Sequence, residues 1–222
     1  MEAPEGGSRT SSQKEEIRFK MNKFVIICGG ECKTEGIAHN VFENAYVIAA
    51  DSGYDTALKL GIKPDLLVGD MDSIENVPNT VELYRVKAEK DDTDTMLAIS
   101  IAEERGADEI VIVGGGGGRA DHFLSNIFML EALRDKGICA ELNDGTNRIS
   151  ILKDSHCEII ADGGYFGLIA LEDSIVSAEG CKYPLKDALL KRTLPYAVSN
   201  EVTSQVARIT VNGKVIVVQS QK

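Results

Sequence analysis

Short apolar runs that end in glycine or aspartate set the strongest constraint on how this chain can fold. Four such runs occupy residues 24–28, 45–50, 66–68 and 110–113. Helical apolar spacing follows at 96–102 and again at 123–133, and 139–142 reads as a further strand. Strand, loop and helix repeated in this order are typical of a parallel sheet with right-handed crossovers. The pattern therefore predicts a Rossmann-like α/β fold with helices on both faces of the sheet.

The pattern changes after Asn147. Strand-like runs at 148–153, 157–161, 165–171 and 175–178 are separated by polar turns, and Leu185 to Leu190 is interpreted as a short helical turn. Asn212-Gly213 between two apolar runs predicts a type I′ hairpin. We therefore predict an α/β domain at 21–147 and an all-β sandwich domain at 148–222. Residues 1–20 are polar and are expected to be a disordered leader or an expression remnant.

Charge and cysteine usage exclude several classes of function. The 222-residue chain carries a net charge of -11, which argues against nucleic acid or an anionic membrane as the main partner. Its five cysteines have no paired zinc spacing, which is typical of reduced thiols in a cytoplasmic protein. No apolar run is long enough to span a bilayer. An anionic substrate would need local cationic groups or a metal to enter so acidic a protein.

Carboxylates gather where the predicted strands end. Asp70 and Asp72 follow the run at 66–68, Asp91 and Asp94 precede a helix, and Asp51 follows the run at 45–50. Two like charges ~4 Å apart repel by about 4 kcal/mol at an effective dielectric near 20, so a cluster needs a cation. Oxygen ligands of this kind suit Mg²⁺. Taken singly, each aspartate is better explained as a turn or helix-cap residue, but the group together favours a metal site.

A glycine run, Gly114 to Gly118, lies between a predicted strand and a predicted helix. Backbone N–H groups and a helix dipole can hold phosphate at such a position, although a loop without a ligand is the alternative. Arg119 and Asp121 add a guanidinium and a carboxylate there, whereas His122 is interpreted as a packed or helix-start residue, with a general base as the alternative. No nucleophile motif is present in the sequence. Phosphoryl or pyrophosphoryl transfer by positioning and charge neutralisation fits this set.

These residues belong to a series of motifs that resembles the bacterial thiamine pyrophosphokinases. The matching segments are ADSG at 50–53, PDLLVGDMDSI at 64–74, EKDDTD at 89–94, GGGGGRADHFLSNI at 114–127, FGLIAL at 166–171, SAEGCKYPL at 177–185 and VSNE at 198–201. The resemblance implies an α/β nucleotide-binding domain, a thiamine-binding β-sandwich, and a homodimer with the vitamin bound between subunits. It also implies transfer of pyrophosphate from ATP to the hydroxyethyl oxygen of thiamine, which gives thiamine diphosphate and AMP.

The resemblance assigns roles to the charged residues at the phosphates. Asp70, Asp72 and Asp94 are expected to hold Mg²⁺ and the triphosphate of ATP. Arg119 is expected to neutralise phosphate charge, and Asp121 to orient the thiamine hydroxyl or accept its proton.

Further positions follow from the same resemblance. Asp91 and Thr93 are expected to shape the loop before the helix, whereas Asp51, Gly115 and Gly116 line the nucleotide side. On the vitamin side the expected residues are Ser177 at the aminopyrimidine, Tyr183 as a stacking ring, and Ser199 and Asn200 near the dimer seam.

Tyr183 stands where eukaryotic members have tryptophan, and the chain contains no tryptophan. The alternative for Tyr183 is a ring packed in the sandwich core. Two other functions stay open at this point: a pyrophosphokinase acting on another small alcohol such as a pterin, and a non-catalytic sensor of nucleotide or thiamine.

Overall fold

The first part of the chain forms a parallel sheet flanked by helices. The computed structural model describes residues 22–70, 81–85 and 93–222. Within them the parallel strands are β1 Lys23–Ile27, β2 Ala45–Ala50, β3 Leu66–Gly69, β4 Glu82–Arg85, β5 Glu109–Val113 and β6 Cys139–Asn143. The helices are α1 Gly53–Lys59, α2 Asp94–Glu104 and α3 Ala120–Asp135, with 3-10 turns at Thr34–Gly36 and His39–Phe42. The sheet order β4-β3-β2-β1-β5-β6 confirms the predicted α/β fold.

Helices cover both faces of this sheet, because apolar side chains of its strands point alternately to one face and to the other. Phe24 and Ile26 of β1, and Cys28 directly after it, pack in one core with residues of α2 and α3. Val25 and Ile27 face the opposite way and pack in a second core that includes residues of α1. Successive side chains of a strand point to opposite faces, so α1 lies on one side of the sheet and α2 and α3 on the other.

The remaining strands are antiparallel. They are β7 Asn147–Lys153, β8 His156–Ile160, β9 Tyr165–Ala170, β10 Ser174–Glu179, β11 Leu185–Leu190, β12 Val206–Asn212 and β13 Lys214–Ser220. Strands β7, β13 and β9 extend the first sheet, because β7 pairs antiparallel with β6. A second sheet has the order β11-β10-β12-β8, and side chains from both sheets share one buried core. This arrangement confirms a β-sandwich, and the domain bounds stay a prediction.

Two local predictions in the sandwich are wrong. Leu185–Leu190 is strand β11 and not a helical turn. A β-bulge that includes Asp187, at φ 45°, shifts the register of β11 against β10. The shift turns Leu185, Ala188 and Leu190 inward, a spacing that resembles a helix in the sequence. Asn212-Gly213 does not form a hairpin, since β12 pairs with β10 and β8 whereas β13 pairs with β7 and β9. The turn passes from one sheet to the other.

A buried lysine joins the two halves of the chain. The Nζ of Lys214, at the start of β13, donates to Glu131 Oε1 at 3.0 Å and to Asp135 Oδ2 at 2.8 Å. Both carboxylates belong to α3, and their hydrogen bonds raise the pKa of Lys214. A buried ammonium group needs such partners, so Lys214 fixes α3 against the sandwich. No helix in the described part of the chain has the length and apolar character needed to cross a membrane.

Candidate active site

The strand order reverses at β1, and this reversal creates a crevice. Strands β2, β3 and β4 lie to one side of β1, and β5 and β6 lie to the other. Open α/β sheets bind ligands at such a switch point, beyond the carboxyl ends of the strands. A cavity of about 490 Å³ occupies this position on the side of α2 and α3, and we call it the front cavity. Its lining includes Asp51, Thr93, Asp94, Gly115, Gly116, Arg119, His122 and Asn126.

The glycine run forms one wall of the front cavity. Gly114, Gly115, Gly117 and Gly118 have φ angles of 78°, 71°, 61° and 63°, which other residues rarely adopt. The buried side chain of Asn126 holds this loop, because its Nδ2 donates to the carbonyl oxygen of Gly115 at 2.8 Å. Helix α3 begins directly after the loop, and the side chain of Arg119 does not cap it. His122 and Ser125 of its first turns line the cavity, so the helix end and its partial positive charge lie beside the loop.

Carboxylates from separate strand ends approach the same crevice. Asp51 follows β2 with φ 48°, and its N–H donates to the carbonyl oxygen of Val68 in β3 at 2.7 Å. Gly69 lies against Asp51, so a Cβ at position 69 would stand 3.3 Å from the Cα of Asp51. The loops that carry Asp51 and Asp70 are therefore in contact. Asp94 reaches the front cavity from the first turn of α2.

Thr93, and not Asp94, caps helix α2. The hydroxyl oxygen of Thr93 accepts a hydrogen bond from the N–H of Met96 at 3.2 Å. The alternative interpretation of Asp94 as a helix cap is therefore wrong, and its carboxylate lies in the first turn beside the cavity. Among the described residues, no three histidine, cysteine or acidic side chains are grouped closely enough to hold a metal. Asp72 and Asp91 lie outside the described residues, as does the predicted leader at 1–20.

Arg119 and Asp121 form an ion pair at the rim of the front cavity. Nε of Arg119 donates to Oδ1 of Asp121 at 3.1 Å, and a terminal nitrogen donates to Oδ2 at 2.6 Å. Both side chains are exposed, at 73% and 64%. Arg119 holds the pKa of Asp121 below its usual range, chiefly through these hydrogen bonds. Asp121 is therefore an ionised acceptor, poised beside a guanidinium that can also bind phosphate.

Several residues of the crevice were not predicted from the sequence. Glu31, Ser52, Thr95, Ser125 and Asn126 also line the front cavity. The signal for Glu31 is the Gly29-Gly30 pair at the end of β1, and the signal for Asn126 is a polar residue on the apolar face of α3. Cys28 lies at the same edge, where burial raises the pKa of its thiol to about 11. All five cysteines of the chain are free thiols.

The residues expected to contact the vitamin lie in the sandwich and do not line the front cavity. Ser177 is held by Asp187, whose N–H donates to the Ser177 hydroxyl at 2.9 Å. Asn200 is buried and binds the backbone of Tyr183 in both directions, at 3.0 and 2.8 Å. Ser199, beside it, has φ 57°. The ring of Tyr183 is 58% exposed, so the alternative of a core tyrosine is wrong.

The α/β half is a doubly wound sheet with a glycine loop and acidic residues at its strand ends, and a β-sandwich follows it. This combination defines a two-part enzyme of the nucleotide-binding α/β class. Residues 38–142 match the model of the thiamin pyrophosphokinase catalytic domain, and residues 146–216 match the model of the thiamin pyrophosphokinase vitamin B1 binding domain. The chain belongs to the thiamine pyrophosphokinase family.

Individual relatives agree with this assignment. A thiamine pyrophosphokinase of Bacillus subtilis is 35% identical over 170 residues, which cover 72% of this chain and 79% of the relative. A crystal structure of thiamine pyrophosphokinase from Bacillus subtilis superimposes with a TM-score of 0.80 at 29% identity, and covers 90% of this chain and 100% of that one. A family member from Enterococcus faecalis gives a TM-score of 0.75 at 26% identity, with 90% and 99% covered.

Proposed function

We propose that this chain transfers the terminal pyrophosphoryl group of ATP to the hydroxyethyl oxygen of thiamine, which gives thiamine diphosphate and AMP. The observation that carries the proposal is the front cavity, where Asp94, the glycine loop and the Arg119–Asp121 pair meet at the switch point. Transfer of a phosphoryl-type group needs positioning and charge neutralisation more than covalent chemistry by the protein. The identity of the acceptor as thiamine, and of the transferred group as pyrophosphoryl, rests on membership of the family.

We further propose that Asp70, Asp72 and Asp94 hold Mg²⁺. Their carboxylates fit the ion, because Mg²⁺ is commonly bound by one or two carboxylates together with substrate phosphates and water. The ion would neutralise charge on the phosphate oxygens. An Asp72→Asn protein should lose most of its activity, and full activity in that variant would contradict the assignment.

We also propose a cytoplasmic location, which rests on the expectation of reduced thiols.

Arg119 and Asp121 act as a linked pair in this proposal. A bound phosphate competes with Asp121 for the guanidinium of Arg119. Once Arg119 turns to the phosphate, Asp121 loses the interaction that lowers its pKa and becomes a better proton acceptor. The arrival of ATP would thereby prepare Asp121 to accept the proton of the thiamine hydroxyl. This order of events requires no further titrating group.

A homodimer completes the site in our proposal. Ser177, Tyr183, Ser199 and Asn200 do not line the front cavity, so we place them against the front cavity of a second copy. Tyr183 is exposed and available for such a contact. Equal mixing of Asp94→Asn and Ser177→Glu chains should restore about a quarter of the wild-type activity, since half of the dimers would be mixed and each would have one intact site. Mixtures that stay inactive would contradict a shared site.

The proposed reaction is tested with purified protein, ATP, Mg²⁺ and thiamine, followed by chromatography of the nucleotides. Thiamine-dependent AMP, with an equal amount of thiamine diphosphate, is the expected result. ADP would instead indicate transfer of a single phosphoryl group. AMP formed with a pterin alcohol and not with thiamine would favour the other acceptor, and tight binding of either substrate without turnover would favour a sensor.

A further inference from the structure

One charged residue is buried in the part of the chain that the structure describes, and it lies at the junction of the two halves. Lys214 is 8% exposed, and the other buried polar residues within 22–70, 81–85 and 93–222 are uncharged. It does not line the front cavity, and the mechanism proposed above gives it no role. Replacing a buried ion pair by apolar groups often leaves a protein as stable or more stable, so stability alone does not explain this lysine.

On one side, Lys214 binds the last turns of α3. Its ammonium group donates to Glu131 and Asp135, and Lys153 donates to the other oxygen of Asp135 at 2.8 Å. Acidic side chains near the carboxyl end of a helix are unfavourable, because the helix dipole is negative there. Asp135 is the last residue of α3. The two carboxylates are therefore matched to a lysine of the other half and not to their own helix.

On the other side, the backbone of Lys214 binds the start of β10. Its N–H donates to the hydroxyl oxygen of Ser174 at 3.0 Å, and that hydroxyl donates to the carbonyl oxygen of Glu172 at 2.8 Å. Ser174 is 1% exposed, and a Cβ on Gly213 would stand 2.4 Å from its Oγ. The turn before β13 and the start of β10 are therefore in close contact. Ser177 lies three residues further along β10.

The opposite end of α3 reaches the front cavity. Arg119 precedes the helix, and His122, Ser125 and Asn126 of its first turns line the cavity. The helix has 16 residues and is about 24 Å long at 1.5 Å per residue. Because a helix is stiff over this length, the contact with Lys214 at one end sets the angle at which the other end enters the crevice.

We infer that Lys214 is a positioning residue, because it fixes the front cavity and the vitamin surface of one copy relative to each other. The vitamin surface consists of Ser177, Tyr183, Ser199 and Asn200. This inference rests on the proposed function, in which ATP binds the α/β half of one copy and thiamine binds the sandwich of the other. Both sites of a symmetric dimer are built from the same two halves, so a changed angle between the halves displaces the acceptor hydroxyl at each site. A displacement of about 1 Å can lower a rate 10²-fold.

Removal of the ammonium group tests this role. Lys214→Met keeps most of the side-chain volume and loses the contacts with α3. Its kcat should fall roughly tenfold and its KM for thiamine should rise several-fold, because the acceptor is displaced. The KM for ATP should stay within about twofold of the wild-type value, since ATP binds within one α/β half. Steady-state kinetics with each substrate varied in turn measures these values, at a temperature well below the unfolding transition.

Lys153→Met is the matched control. Lys153 lies opposite Lys214 on the neighbouring strand β7 and donates to the same Asp135, but its side chain is 40% exposed and that of Lys214 is 11% exposed. An exposed ion pair contributes little, so kcat and both KM values should stay at the wild-type level. Equal kinetic values in the two methionine variants would overturn the inference.

A triple variant separates positioning from stability. Lys214→Met leaves Glu131 and Asp135 without their buried partner and should lower the urea midpoint of unfolding. Lys214→Met combined with Glu131→Gln and Asp135→Asn removes the whole charged group and should regain most of the lost stability. Its kcat and its KM for thiamine should nevertheless stay as in Lys214→Met, because α3 is still untethered. Return of wild-type kinetics together with the stability would overturn the inference. The triple variant also supplies the kinetic test if Lys214→Met does not fold.

The outcomes separate this inference from the proposed function. Wild-type protein that forms no thiamine diphosphate overturns the proposed function itself. Wild-type protein that forms it, together with a Lys214→Met variant of unchanged kinetics, overturns the positioning role alone. A KM for ATP that rises in Lys214→Met as much as the KM for thiamine would also overturn that role, because the α/β half itself would then be disturbed.

Discussion

The two halves of the molecule use the same device to hold a loop, and they present different surfaces with it. Asn126 in the α/β half and Asn200 in the sandwich are both 6% exposed. Each donates through Nδ2 to a backbone carbonyl at 2.8 Å, that of Gly115 in one case and of Tyr183 in the other. The loop held by Asn126 is a cavity wall without side chains. The loop held by Asn200 displays an exposed aromatic ring.

Strand direction explains why one loop encloses a cavity and the other does not. In the parallel half, the carboxyl ends of all strands meet at one edge, so residues far apart in the sequence line one cavity. In the antiparallel half, successive strand ends alternate between the two edges of the sandwich. Residues such as Ser177 and Tyr183 therefore contact local partners and form a surface. In the function proposed above, the parallel half supplies the chemical groups, and the antiparallel half of a second copy supplies the surface that recognises thiamine.

Asp94→Asn should have the largest effect on activity. Loss of one charged group from a phosphate site lowers kcat roughly 10²- to 10³-fold. The fold should survive, because Thr93 and not Asp94 caps α2. Steady-state kinetics with circular dichroism checks both expectations. Glu104→Gln, at the other end of α2, is the matched control and should retain wild-type rates. A loss of only a few-fold in Asp94→Asn would remove Asp94 from the phosphate site.

Arg119→Ala should have the next largest effect, with a characteristic pH signature. We expect kcat/KM for ATP to fall roughly 10²-fold, because the phosphates lose one cationic partner. Arg119 lowers the pKa of Asp121, so its removal should raise that pKa. Asp121 has to be ionised to accept a proton, and the pH profile of kcat/KM for ATP reports the free enzyme, in which Arg119 still pairs with Asp121. The acidic limb of that profile should therefore move to higher pH in the variant. Arg134→Ala, near the end of α3, should leave the profile unchanged. A shift towards lower pH would contradict the pairing.

The two asparagines provide a reciprocal test of the comparison between the halves. Asn126→Ala should raise the KM for ATP several-fold and leave the KM for thiamine unchanged. Asn200→Ala should do the opposite. Each change leaves buried backbone groups without partners and should cost about 1–3 kcal/mol of unfolding free energy. Denaturant unfolding measures that cost, and kinetics with each substrate varied in turn measures the rest. Equal effects on both KM values in either variant would show a structural role alone.

The sequence predicted the parallel half well because its signals are local. The runs of β1, β2 and β5 end in residues that line the crevice, and topology alone brings Asp51, Asp94 and Arg119 to one edge. Individual side-chain contacts could not be predicted from these signals. The pairing of Arg119 with Asp121 depends on side-chain rotamers, and the role of Asn126 depends on which face of α3 meets the glycine loop.

The errors in the sandwich have a different physical cause. Pairing between strands decides which sheet a segment joins, and local propensity is weak beside it. Asn212-Gly213 has the composition of a hairpin turn, yet β12 and β13 find their partners in different sheets. The bulge at Asp187 likewise depends on the neighbouring strand β10. A second cavity of about 780 Å³, on the α1 side of the sheet, was not predicted for a related reason, since the turn at Asp144 and the loop after β1 meet only in the folded chain.

Tyr183 should give the smallest effect and the sharpest test of the recognition surface. Its ring is exposed, and Lys182 Nζ already lies 5.6 Å from the ring centroid. Stacking of a cationic thiazolium on an exposed ring is worth little, so Tyr183→Ala should raise the KM for thiamine only ~2- to 5-fold. Tyr183→Trp should lower that KM, because the indole ring is the stronger partner for a cation. The KM for ATP should stay constant in both variants. If the tryptophan variant bound thiamine more weakly than the alanine variant, Tyr183 would be a spacer in the loop held by Asn200, and recognition of the vitamin would have to come from Ser177 and its neighbours.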